Sequence, residues 1–283
     1  MSAEPLSPAT SRTLPRARLV VSDIDGTLVN KRKQITQATI AAFGRLREAG
    51  VPYTLISARP RSGIVPLADM LELDEPMGAF NGGTVFRRDG TLLFQQCVAD
   101  EIVAKALELA AGMAVDIWVF ADDRWFADTP DGPHTASERV SSNQEPVAPI
   151  DFAALAGRID KITFVSDDEP LLRDLAARMA ATIDGERATI VQSQAYYLDV
   201  TAPAANKGDG VAHLAGAFGV DLADTIVIGD QFNDLSMFAR AGWSIAMGQG
   251  PQAVRDAADA VTLGNDQDGV AHAITTMILE PKP

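Results

Sequence analysis

The 283-residue chain has a single cysteine, Cys97. No disulfide can form within it, and a reducing, cytoplasmic setting follows as the simplest expectation. No matching Cys-His pattern surrounds Cys97, so it reads as a packed or idle thiol rather than a nucleophile. Basic residues are also short: 24 Lys and Arg stand against 38 Asp and Glu, a net charge of −14. With no basic field to steer it, the chain is not expected to bind nucleic acid or an anionic membrane. Phosphorylated ligands stay possible, because a bound divalent cation reverses the local field. No apolar run is long enough to span a bilayer. Residues 1–17 are rich in Pro, Ser, Thr and Arg and lack the apolar centre of a secretory signal, which predicts a disordered leader. Apolar residues make up 47% of the chain, enough for a true core.

The chain is organised around Val20-Val21-Ser22-Asp23-Ile24-Asp25-Gly26-Thr27-Leu28. Leu19-Val20-Val21 reads as a buried strand that ends in two acids one residue apart. In open α/β sheets the ligand crevice lies beyond the carboxyl ends of parallel strands. Two carboxylates there, beside the backbone N–H groups that Gly26 can present, suit a hard cation and a phosphate. Taken alone, the same residues also fit a solvated strand end and a turn.

Periodicity predicts strand, helix, strand, helix, strand up to Gly78-Ala79-Phe80, the signature of a doubly wound parallel sheet. Thr36 is the expected N-cap of the first helix. The Lys31-Arg32-Lys33 triplet reads as a solvated turn, with guidance of an anionic substrate as the weaker option. The middle of the chain changes character. Helix-strand-strand occurs twice around an intervening strand, which predicts an α+β insert with a largely antiparallel sheet. Residues 129–150, with four prolines, read as loop. From Lys207 the helix-strand alternation returns and ends in a helix over about 269–279. The expected division is a Rossmann-like core over 18–84 and 193–283, with a cap over 85–192.

Four segments stand out: Asp23-Ile24-Asp25-Gly26-Thr27, Ser57, Lys207 and Gly229-Asp230-Gln231-Phe232-Asn233-Asp234. Their order and spacing resemble the four motifs of the haloacid dehalogenase-like phosphohydrolases, and of the Cof-type subclass with its large α/β cap. Asn81-Gly82-Gly83, Leu235-Ser236-Met237-Phe238, Ala246-Met247-Gly248 and Asp266-Gln267-Asp268-Gly269-Val270 extend the resemblance across both halves of the core. The cap matches only in length and topology.

The resemblance implies a Mg²⁺-dependent phosphomonoester hydrolase acting on a small phosphorylated metabolite such as a sugar phosphate. Asp23 would be the nucleophile that forms an aspartyl-phosphate. Asp25 would be the acid for the leaving alcohol and then the base for water, its backbone carbonyl also reaching the metal. Ser57 would donate to the phosphoryl group, and Lys207 would offset the charge of Asp23 and the phosphoryl oxygens. Asp23, Asp25, Asp230 and Asp234 would form the metal site, with Mg²⁺ favoured by hard oxygen donors and the lack of a His or Cys cluster. Gly26, Thr27, Ala58, Arg59, Asn81, Gly82 and Asn233 would contact the substrate. Singly, each has a plainer reading: Ser57 as a helix cap, Lys207 as a solvated first-turn residue. Motif two has Ser-Ala-Arg where the family often has Thr-Gly-Arg, and Phe232 is expected to pack beneath its loop. Trp118, Trp125, His134, Arg139 and Tyr196 are the cap's candidate selectors, although each taken singly reads as sheet core or surface. A phosphomutase using the same nucleophile and a non-catalytic regulatory protein are the competing functions.

Overall fold

The computed structural model describes residues 17–147 and 151–280. The expected leader lies outside the described residues except for Ala17, as do residues 148–150 of the expected loop. In chain order the elements are β1 (Leu19–Ser22), α1 (Gln37–Glu48), β2 (Tyr53–Leu55), α2 (Arg61–Met70), β3 (Met77–Ala79), β4 (Thr84–Phe86) and β5 (Leu92–Gln95). Then come α3 (Asp100–Ala110), β6 (Asp116–Ala121), β7 (Arg124–Ala127), α4 (Thr135–Ser142), β8 (Ile159–Val165), α5 (Glu169–Thr182), β9 (Thr189–Gln194) and β10 (Tyr197–Thr201). The chain closes with α6 (Lys207–Phe218), β11 (Thr225–Gly229), α7 (Leu235–Arg240), β12 (Trp243–Ala246), α8 (Gln252–Ala257), β13 (Ala260–Val261) and α9 (Gly269–His272).

Five strands form a parallel sheet in the order β13-β12-β11-β1-β2. β1 lies between β2 and β11, and every residue of all three is buried, as continuous apolar runs in a two-sided sheet require. This order places Asp23, at the end of β1, beside Asp230, at the end of β11. The mixed α/β architecture with a central parallel sheet is the one expected. Thr36 caps α1 as expected, its side chain accepting from the Thr39 N–H at 3.2 Å.

Four details differ from the sequence reading. β3 joins the parallel sheet only through an Ile56–Gly78 bridge and pairs antiparallel with β4, forming a small β3-β4-β5 sheet. The second sheet, β7-β6-β8-β10-β9, is antiparallel throughout and includes residues 197–201. It therefore runs past residue 192, where the return to the core was expected, because the β9–β10 hairpin closes on β8. We propose 202–206, between β10 and α6, as the crossing back. At the C-terminus a π-helical stretch, Ala273–Leu279, follows α9. Thr275 and Thr276 donate their hydroxyls to the carbonyls of Ala271 and His272, competing with the regular helical ladder.

The fourth difference is α4, in the stretch read as loop. Its buried residues are Thr135 and Ser142, so no apolar period marks it. It is held by docking on α2. Ser62 donates its hydroxyl to the Ser142 carbonyl at 2.6 Å, and Gln144 donates to the Ser62 hydroxyl at 2.6 Å. Gly63 allows the close approach: a Cβ there would lie 2.1 Å from the Ser141 carbonyl oxygen.

Asp160 of β8 ties the second sheet to the small one. Its Oδ1 accepts from Gln95 Nε2 at 2.8 Å and from Thr84 Oγ1 at 3.1 Å. Burial pushes its carboxyl up to about 6, against the pull of those two donors. A carboxyl raised on folding contributes stability that is present below its unfolded value near 4 and is lost as pH rises through 6. Asparagine keeps the accepting Oδ1 without the charge. Asp160→Asn is expected to match wild type near pH 4 and to exceed it by about 1–3 kcal/mol at pH 7.5. Denaturant unfolding at the two pH values checks this, and a gap that does not widen with pH refutes it.

Candidate active site

The site lies at the carboxyl ends of β1 and β11, where α6 begins. Asp23, Asp230 and Asp234 are at most 4% exposed, and one carboxylate oxygen from each lies within 4.8 Å of the others. Lys207, the first residue of α6, is 1% exposed and donates to Asp23 Oδ1 at 2.6 Å and to Asp234 Oδ1 at 2.5 Å. Asn206 caps the helix by accepting from the Asp209 N–H, which fixes where Lys207 enters. The other oxygen of Asp234 accepts from the backbone N–H groups of Asp230 and Gln231 at 2.7 and 2.8 Å. Asp234 therefore braces the loop and Lys207. The Asp23 and Asp230 carboxylates have more room for an outside partner.

Charge does not balance here. Three buried carboxylates face one ammonium. Burial pushes the Asp23 carboxyl up, Lys207 pulls it down, and Asp234 and Asp230 push it up again. Asp230 is raised to about 6 by burial and by Asp234. Burial works against the charge on Lys207, but Asp23 and Asp234 outweigh it and hold the amine protonated. An all-oxygen donor set with excess negative charge fits a hard divalent cation.

The loop after β1 is shaped for this cluster. Gly26 has φ +84°, and a Cβ there would lie 2.3 Å from an Asp230 carboxylate oxygen. Only glycine combines that backbone with that contact. Thr27 donates to Asp230 Oδ1 at 3.0 Å. Gln249 donates to the Gly26 carbonyl at 2.6 Å, a brace that no sequence motif marks.

Asp25 is expected to reach the metal through its backbone carbonyl. Its carboxylate lies outside the three-acid cluster and is gripped by Arg59, Nε to Oδ2 at 2.7 Å and Nη2 to Oδ1 at 2.8 Å. Lys33 adds an ion pair to Oδ1. Burial would raise the Asp25 carboxyl, but the Arg59 fork and Lys33 hold it down at about 2. Only the Asp25 backbone carbonyl remains as its candidate metal ligand. Arg59 is 8% exposed, and its N–H and carbonyl bond to Ser57 Oγ and Phe80 N. Lys33, expected in a solvated turn, belongs to the site because positive φ at Lys33 turns the loop back onto Asp25.

The remaining candidates divide. Ser57 is buried, and its Oγ accepts from the Arg59 N–H, leaving the hydroxyl proton free to donate. Ala58 is partly exposed in the turn between Ser57 and Arg59. Asn81 and Asn233 meet, Nδ2 of Asn233 donating to Oδ1 of Asn81 at 3.3 Å. Gly82 faces α6 instead: a Cβ would lie 2.2 Å from the Gly210 Cα, so it sets how closely the helix bearing Lys207 packs. Phe232, expected under its loop, is 59% exposed. The 3₁₀ turn Phe232–Asp234 buries Asp234 and so turns Phe232 outward.

Among the cap candidates, Trp118 and Trp125 are buried in the second sheet with indole N–H groups that find no acceptor among the described residues. His134 stacks on Tyr196 with centroids 3.7 Å apart and bonds to Asp167. Arg139 is bound to Asp131 and Glu145. Cys97 is partly buried, which pushes its thiol up to about 11, in keeping with an idle group. Among the described residues no helix is long and apolar enough to cross a membrane.

Comparison with known proteins agrees with this geometry. The chain is 27% identical over 267 residues to the HMP-PP phosphatase of Cronobacter sakazakii, covering 94% of this chain and 97% of that protein. The crystal structure of a haloacid dehalogenase-like hydrolase from Bacteroides thetaiotaomicron superposes with a TM-score of 0.83 at 29% identity, covering 91% of this chain and 98% of that one. A subclass IIB sugar phosphatase of the same superfamily shares the fold, with a TM-score of 0.76 at 23% identity over 91% of this chain and 98% of that one. The family model for haloacid dehalogenase-like hydrolases matches residues 20–274. Nearly the whole chain thus belongs to the haloacid dehalogenase-like hydrolase family, and it is an enzyme of the phosphatase kind.

Proposed function

We propose that the enzyme is a Mg²⁺-dependent phosphomonoesterase that works through an aspartyl-phosphate on Asp23. The observation that carries this reading is the buried Asp23-Asp230-Asp234 cluster built around a single lysine at the ends of β1 and β11. Asp23 and Asp230 would hold the cation, with the Asp25 carbonyl, and Asp234 would act through Lys207 and the loop. When bound, the cation neutralises phosphoryl oxygens and keeps Asp23 ionised as a nucleophile. Lys207 fixes one Asp23 oxygen, leaving the other to attack phosphorus. The Ser57 hydroxyl and the amides around Gly26 are the donors for the phosphoryl oxygens.

Asp25 is the proton carrier in this scheme. Arg59 and Lys33 keep it ionised, as a base for water must be, but hold it down at about 2, so it takes a proton in the second half of the reaction only once that grip is loosened. To act first as acid it must be freed from that grip, which phosphoryl oxygens competing for Arg59 and Lys33 would do. Asp25→Asn is expected to slow turnover by roughly two orders of magnitude or more. Steady-state phosphate release measures this, and near-normal turnover by folded Asp25→Asn refutes the role.

The substrate is read as a small phosphorylated metabolite such as a sugar phosphate. Likeness in fold to a sugar phosphatase supports it, as do the polar groups Lys161, Thr163 and Asp199 set among aromatic rings on one face of the second sheet. The decisive experiment is phosphate release from a panel of phosphorylated metabolites with Mg²⁺ and with EDTA. Turnover that needs Mg²⁺ is expected. Mg²⁺ at about 100 times its Kd should also stabilise the protein by about 2.7 kcal/mol, an effect EDTA removes. Full turnover in EDTA refutes the metal-dependent mechanism.

A further inference from the structure

Strand alternation gives the antiparallel sheet two unlike faces. Ile117, Val119, Ile162, Phe164, Leu198 and Val200 point to one side and pack in the apolar core formed with α3 and α5. The other side carries, in paired rows, Phe120, Lys161 and Thr201, then Trp118, Thr163 and Asp199. Phe120 of this second face meets Phe80 with ring centroids 5.9 Å apart, and the Phe80 N–H donates to the Arg59 carbonyl. This face, aromatic along β6 and β7 and polar along β8 and β10, is thereby brought over the Asp25-Arg59 end of the site.

Glu138 of α4 reaches the same space. Its carboxyl feels Lys161, Asp199, Asp25 and Arg59, and burial pushes it up to about 7. The charged groups around it are each bonded to another partner. Lys161 Nζ lies 3.9 Å from Asp199 and 4.6 Å from the centroid of the Phe120 ring. Asp199 also accepts from Thr163 Oγ1 at 2.6 Å. Arg59 and Lys33 are committed to Asp25, and Lys207 to Asp23 and Asp234. Among the described residues the Glu138 carboxylate has neither an ion pair nor a hydrogen bond. It is an acceptor without a bonded partner, near Asp25 and Arg59.

We propose that Glu138 is the cap's charge filter: it accepts a hydrogen bond from a hydroxyl or ammonium group on the leaving group and rejects leaving groups that carry a second anion. The inference rests on the phosphomonoesterase reading above and sharpens it. A hydroxyl donor satisfies an acceptor that would otherwise be desolvated alone, whereas a carboxylate or second phosphate meets like charge. A bisphosphate, as a mutase would need, is disfavoured for the same reason.

The test uses two phosphates of one carbon skeleton, glucitol 6-phosphate with a terminal hydroxymethyl group and 6-phosphogluconate with a carboxylate. The quantity measured is the ratio of their kcat/KM values at pH 8.5, where Glu138 is ionised, in wild type, Glu138→Gln and Glu138→Ala, each checked for folding by thermal unfolding. Wild type is expected to favour glucitol 6-phosphate. Glu138→Gln, which keeps shape and loses charge, should narrow the ratio by roughly tenfold, chiefly by lowering KM for 6-phosphogluconate. Glu138→Ala should narrow it as well. A ratio unchanged in both variants overturns the inference. Asp23→Asn is run alongside with glucitol 6-phosphate: hydrolysis at the wild-type rate would overturn the underlying mechanism instead, whatever Glu138 does.

Discussion

Asp23→Asn is expected to lower phosphate release by on the order of 10⁴-fold or more. The amide has the size of the carboxylate and can still accept from Lys207, so the geometry of the site should survive. It lacks the anionic oxygen that must attack phosphorus. The same change should make the metal-free protein more resistant to heat, because Asp23 is one of three buried carboxylates gathered around one ammonium. Removing one of them relieves repulsion, which the upward push on Asp23 from Asp234 and Asp230 already shows. Loss of turnover together with a higher metal-free Tm is a pairing that damage to the fold would not produce. Undiminished turnover would mean the nucleophile is elsewhere.

Lys207→Met should lose both activity and stability. The lysine is buried to 99% and is the cation bonded to two of the three acids. Breaking a buried ion pair from one side leaves uncompensated charge, at a cost of about 3–5 kcal/mol. For a chain of this size that corresponds to a fall in Tm of roughly 10 °C. Adding Asp234→Asn to Lys207→Met should recover part of the stability and none of the turnover, since it removes an orphaned charge without restoring the catalytic one. Thermal unfolding and phosphate release on the single and double variants check both halves. A Lys207→Met protein as stable as wild type would show that the lysine does not hold this cluster together.

What the sequence made legible is what sits at strand ends. Asp23 and Asp230 are polar residues at the close of apolar runs, with Asp234 four residues further on, and the alternation of strand and helix places those runs side by side. Lys207 was legible as the start of a helix where its charge is unfavourable unless something anionic waits for it. Contacts between distant loops were not legible. Nothing local in Lys33 or Arg59 says that both close on Asp25, and Gln249 reaches Gly26 from 223 residues away. Helix α4 was hidden for another reason. Its buried side is threonine and serine, and Val140, its one large apolar residue, is 64% exposed. Pattern reading looks for an apolar stripe, and this helix is held by hydroxyls and a glycine contact instead. Glu138 was missed with it.

That glycine contact limits how the protein can vary. Between α2 and α4 there is less clearance than one methyl group, since a Cβ on Gly63 would collide with the Ser141 carbonyl. Position 63 and the path of the chain at 141 are therefore free to drift only together. A library that varies them independently will mostly return chains whose two halves meet badly. One that varies them as a pair can reset how the helix bearing Glu138 sits against Asp25 and Arg59 without touching the buried acid cluster, and new leaving-group preferences are the expected result.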